Sequence, residues 1–78
     1  MARTAMLSEH ARNAFDRIIT MIASRLKQAN DIASAAEACV LAGNHDGAFR
    51  IMFDVEQLTY EATTLLNAAN LIRREDET

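Results

Sequence analysis

The chain has 78 residues, half of them apolar, with no proline, no tryptophan and one cysteine; 11 acidic residues against 8 Lys and Arg leave a formal charge of −3. One cysteine cannot form an internal disulfide, and a mildly acidic chain with scattered cations argues against a strong nucleic-acid or anionic-membrane footprint. Chains this short rarely bury enough apolar surface to offset the entropy of ordering themselves, so a lone protomer should be marginal.

The first residues, Met1 to Leu7, meet the polar Ser8-Glu9-His10 before an apolar run long enough for a signal peptide develops, and they are expected to be flexible. The longest apolar patches, Met21-Ile22-Ala23 and Ala38-Cys39-Val40-Leu41-Ala42, are far shorter than a membrane span. A soluble, cytoplasmic protein without membrane association is expected, and a free Cys39 suits a reducing compartment.

Ser8 is the candidate N-cap of a first helix, with Thr4 as its rival and Glu9 in the first turn, where the helix dipole favours an anion. From there Phe15, Ile19, Ile22, Leu26, Ala29, Ala33, Ala36 and Val40 recur at spacings of four and three, a heptad seam. Its first half is bulky and its second half nearly all alanine. A flanking stripe of Ile18, Met21, Ile32, Ala35 and Cys39 widens the apolar face beyond what two helices need, which points to a four-helix packing.

Both glycines fall in Gly43-Asn44-His45-Asp46-Gly47, between two long runs without a breaker. Gly43 can adopt the left-handed conformation that ends a helix, and Asp46 can cap the next one. Ala48, Ile51, Val55, Leu58, Ala62, Leu65, Ala69 and Ile72 then repeat the heptad pattern, and Arg73 and Arg74 suit a helix C-terminus. The acidic C-terminal tail 75–78, with Glu75, Asp76 and Glu77, should fray into solvent.

The resulting fold class is all-α: one domain spanning 1–78, a two-helix antiparallel αα-hairpin over about 8–42 and 46–74, assembling as a dimeric four-helix bundle. A turn centred near residues 44 and 45 pairs positions whose numbers add to about 89, which brings Glu37 near Arg50, Lys27 near Glu61, Asp16 near Arg73 and Arg12 near Glu75. Arg25 lies on the flanking stripe, with Glu61 as a candidate partner. Exposed pairs of this kind contribute roughly 0 to 1 kcal/mol each, so they set register more than stability.

Phe49, Phe53 and Tyr60 fall on positions turned away from the second seam. A cluster of apolar rings is costly to leave in water, so these residues, with Met52, Ile18 and Ile32, are the candidate protein interface. No spacing points to chemistry. His10 and His45 belong to opposite ends of the hairpin, Cys39 and His45 lack a ligand spacing, and Cys39 has no cation beside it to lower its pKa. Glu37, Asp54, Glu56 and Glu61 are spread along outer faces. No metal and no cofactor is expected, and the chain reads as non-enzymatic.

The expected function is a small protein–protein interaction module: a regulator, adaptor or inhibitor acting through a helical surface as a homo-oligomer, with one other protein as a further partner. The competing class is a nucleic-acid-binding bundle in which dimerisation aligns Arg12, Arg17, Arg25 and Lys27 into a basic stripe.

Overall fold

A computed structural model of the chain describes residues 8–77; the expected flexible stretch 1–7, the alternative cap Thr4 and the last residue of the acidic tail lie outside the described residues. Two helices of 33 residues each, α1 (Glu9–Leu41) and α2 (His45–Glu77), fold back on one another as an antiparallel hairpin. Ser8 caps α1, its hydroxyl accepting from the Ala11 amide at 3.0 Å. The second helix runs three residues past its expected end, through Glu77. Acids at a helix C-terminus cost only about 0.3–1 kcal/mol, which does not stop a helix where the chain offers no glycine or proline.

The turn is a Schellman motif. Gly43 has φ +83°, its amide donates to the Val40 carbonyl at 2.9 Å, and the Asn44 amide donates to the Cys39 carbonyl at 2.8 Å. Asn44 then serves the next helix as well: its side-chain oxygen accepts from the Gly47 amide at 2.9 Å and its carbonyl from the Ala48 amide at 3.1 Å. The N-cap of α2 is therefore Asn44 and not Asp46, which sits inside the first turn as the acidic residue there. An asparagine one residue after the left-handed glycine can close both helices, and this removes the need for a longer loop.

The long dimensions are 56 × 18 × 14 Å. A thickness of 14 Å is close to the ~10–12 Å diameter of one helix with its side chains, so the hairpin is a single layer. One layer has no interior. Every buried residue among those described is accordingly an alanine: Ala29 and Ala36 on α1, and Ala48, Ala62 and Ala69 on α2. Half-buried positions complete the seam. On α2 these are Ile51, Val55, Leu58, Leu65 and Ile72, as the heptad spacing predicts.

On α1 the seam differs from the expected one. Phe15, Ile22, Ala29 and Ala36 face inward, but they alternate with Ile18, Arg25, Ile32 and Cys39, all half-buried, and not with the expected set. Ile19, Leu26 and Val40 are exposed. The two stripes share every other residue and differ by a rotation of about 100° at the alternate positions. Ile18 and Ile32, expected at an outer interface, thus belong to the hairpin's own seam.

The shared cap makes a sharp prediction. A Cβ on Gly47 would collide with the Asn44 side-chain amide, whereas one on Gly43 would meet open space. Gly47→Ala should therefore destabilise the wild type by displacing the cap, a loss of about 1 kcal/mol. In an Asn44→Ala background the same change should stabilise by about 0.5–1 kcal/mol, because only helix propensity is left to act. Urea unfolding of the four proteins of this cycle checks the reversal of sign, and additive effects would refute it.

Candidate interaction surface

The large side chains that the alanine seam cannot cover lie outside. Among the described residues Ile19, Met21, Leu26, Val40, Leu41, Phe49, Met52, Phe53, Tyr60, Leu66 and Leu71 are exposed, and they divide between the faces of the hairpin. Residues one step past the seam in each heptad, Ile19, Leu26, Ala33 and Val40 on α1 and Met52, Thr59 and Leu66 on α2, fall along one flat side of an antiparallel pair. Near the turn that side opens into a groove of about 520 Å³, whose lining includes Ala33, Ala36, Val40, Ala48, Phe49 and Met52. The groove joins the two stripes across the seam.

The opposite flat side is more polar. Arg25 crosses from α1 to α2, its Nε donating to Glu61 at 2.9 Å, and the Gln57 amide donates to the other carboxylate oxygen at 3.0 Å. A groove of about 240 Å³ next to this pair is lined by Met21, Arg25, Tyr60, Glu61, Thr64 and Leu65. The hydrogen bond from Gln57, and then that from Arg25, hold the Glu61 carboxyl below the usual carboxylate range, against a smaller opposing effect of desolvation. Residue numbers in the Arg25–Glu61 pair add to 86, which sets the register; Lys27, expected opposite Glu61, instead reaches Asp31 on its own helix at 3.4 Å.

The predicted aromatic residues are outward, as their spacing requires, and Phe49 and Tyr60 border different grooves. Phe49 and Phe53 pack edge to face with centroids 5.5 Å apart, and they are 70% and 60% exposed. Tyr60 lies beyond them, over the groove beside Arg25 and Glu61. Met52 belongs with the apolar flat side. The heptad spacing predicts Ile19, Leu26 and Val40 inward, and only the cross-helix Arg25–Glu61 pair signals that they lie outward.

No group of three or more His, Cys, Asp and Glu that could hold a metal occurs among the described residues. Cys39 is a free thiol, half-buried in the seam. None of the described helices is long and apolar enough to cross a membrane. Two of the four cations proposed for a basic stripe, Arg25 and Lys27, are engaged by carboxylates.

The architecture defines an open helical hairpin with one apolar and one ion-paired flat side. Comparisons with protein-family models, with curated proteins and with solved structures give no match. Function is therefore argued from the surface alone.

The depressed Glu61 pKa carries a sign. A carboxyl whose folded pKa lies below its unfolded value contributes stability at neutral pH, and that contribution fades as pH falls through the folded pKa. Glu61→Gln should lower the urea midpoint at about pH 7, and the difference from wild type should close below the usual carboxylate range near about pH 4. A gap that stays constant on acidification would show that the Arg25–Glu61 pair adds nothing to folding.

Proposed function

We infer that this protein is a small, non-enzymatic protein–protein interaction module, a regulator, adaptor or inhibitor that presents a helical surface and works as a homo-oligomer. The observation that carries the reading is the mismatch between what is buried and what is not. Among the described residues the buried ones are all alanines, while leucine, isoleucine, valine, methionine and phenylalanine side chains are exposed. Apolar faces of this kind mark binding surfaces in soluble proteins, and helix hairpins complete their cores by adding a second layer.

Two layers from two copies make a four-helix bundle, the assembly in which a helix uses three stripes of its surface and not two. The Phe49–Phe53 pair is the contact offered to a different protein, since large aromatic rings supply much of the binding energy in interfaces. The non-enzymatic reading is supported by the carboxylates: Glu37, Asp54 and Glu56 are exposed along separate faces, and Glu61 is committed to Arg25 and Gln57. The same bridge and the Lys27–Asp31 pair disfavour a nucleic-acid stripe.

Light scattering after size exclusion should return a mass of at least twice the 8.6 kDa of the chain at micromolar concentration. Its thermal midpoint should rise with protein concentration, because association couples to folding by mass action. A compact, well-ordered species of 8.6 kDa with a concentration-independent midpoint would overturn the homo-oligomer reading. Retention on RNA or DNA at low salt, where counterion release most favours it, would revive the nucleic-acid alternative.

A further inference from the structure

The geometry points to a second copy of this chain, docked in reversed orientation, as the occupant of the Ile19, Leu26, Val40, Met52 and Leu66 face, with the twofold axis passing between Leu26 and Thr59. This rests on the homo-oligomer reading above and adds the face that is used and the direction of the partner.

Area is the first argument. The uncovered parts of Ile19, Leu26, Val40, Met52 and Leu66, between 43% and 50% of each residue, come to roughly 400 Å² per protomer. A stable specific interface buries about 800 Å² per partner, so this apolar strip can form its centre, with the flanking polar residues as its rim. Thr59 lies in the middle of the α2 stripe, where a hydroxyl would ordinarily oppose burial. Here the hydroxyl already donates to the Glu56 carbonyl of its own helix at 3.0 Å, so covering the residue leaves no hydroxyl proton unpaired.

Symmetry is the second. On α1 the stripe reads Arg12, Ile19, Leu26, Ala33, Val40, with Leu26 at its centre, and on α2 it reads His45, Met52, Thr59, Leu66, Arg73, with Thr59 at its centre. The two centres are level across the hairpin, because their numbers add nearly to the 86 of the Arg25–Glu61 pair. A twofold axis through them sets Leu26 on Leu26, Thr59 on Thr59, Met52 on Leu66, and Ile19 of one copy on Ala33 of the other, a large residue against a small one. Such self-complementarity is what an isologous interface requires.

Charge selects the direction. With both turns at the same end, Arg12 and Arg73 of the two copies would gather four guanidinium groups at the other end, which is unfavourable. Reversal separates them and carries each Arg12 to the turn end of the other copy, one helical turn from its Glu37. Asp16 then comes level with Glu37, with Arg12 beside it one turn away on its own helix.

Two measurements test this. Leu26→Glu should convert a doubled mass in light scattering to 8.6 kDa, while Phe53→Asp, on the far side of α2, should leave it doubled. In a Cys39→Ala background, mild oxidation of Leu26→Cys alone and of Thr59→Cys alone should each give a covalent dimer, because each residue meets its own copy at the axis. If cross-linking instead requires Leu26→Cys and Thr59→Cys together, the two copies run in the same direction and the orientation falls. If Phe53→Asp dissociates the assembly and Leu26→Glu does not, the aromatic side of α2 is the contact and the face falls, although the homo-oligomer reading survives. A wild type of 8.6 kDa at every concentration removes both.

Discussion

Alanine at the points of closest contact is the constraint on which the rest of the structure depends. Ala29 and Ala36 on α1 and Ala48, Ala62 and Ala69 on α2 are the residues that lose nearly all their surface, and a methyl group is small enough to let two helix backbones approach closely. Close approach leaves little volume between the helices for a leucine or a phenylalanine. The larger apolar side chains are therefore distributed around the contact, half-covered at Phe15, Ile22, Ile51 and Leu65 and uncovered at Leu26, Val40 and Phe49. Hydrophobic stabilisation grows with the area removed from water, so most of what this sequence can gain by burial is still available to a second molecule. Its reading as an interaction module follows from that unspent area.

The turn shows how little chain is needed to reverse direction when each residue acts twice. Gly43 takes the left-handed conformation, and Asn44 both donates to the end of α1 through its amide and caps α2 through its side chain. A short, doubly bonded connection holds the two helices in one register near the turn. Further along, the bridge from the half-buried Arg25 to Glu61 holds that register from the side. These polar contacts contribute modestly to stability, and their value lies in orientation: they decide which side of α1 faces α2 and hence which side is left uncovered.

That division gives the two flat sides different characters. The side with Arg25, Gln57 and Glu61 has satisfied polar groups and a shallow groove, whereas the side with Ile19, Leu26, Val40 and Met52 is an apolar strip along the middle of the hairpin. The outer surface of α2 adds the Phe49–Phe53 pair, of which Phe49 borders the apolar groove near the turn. A molecule built this way can place one side against its own copy and keep an aromatic corner for another protein.

Much of this was legible in the residues themselves. The absence of proline, the confinement of both glycines to residues 43–47 and the regular apolar spacing determined two long helices, one reversal and the cap at Ser8, because breakers and caps act over only a few residues. The outward direction of Phe49, Phe53 and Tyr60 was equally local, since a helix with a defined inner stripe fixes where every other side chain points. Tertiary structure decided what local rules leave balanced. Asn44 prevailed over Asp46 as the cap because the Schellman turn delivers it to the start of α2. On α1, two heptad stripes sharing Phe15, Ile22, Ala29 and Ala36 were nearly equal by hydrophobicity, and an arginine in one of them weighed against it. Only the fold brings Glu61, 36 residues away in sequence, to within 2.9 Å of that arginine, and the pair makes the stripe with Arg25 fit to face inward.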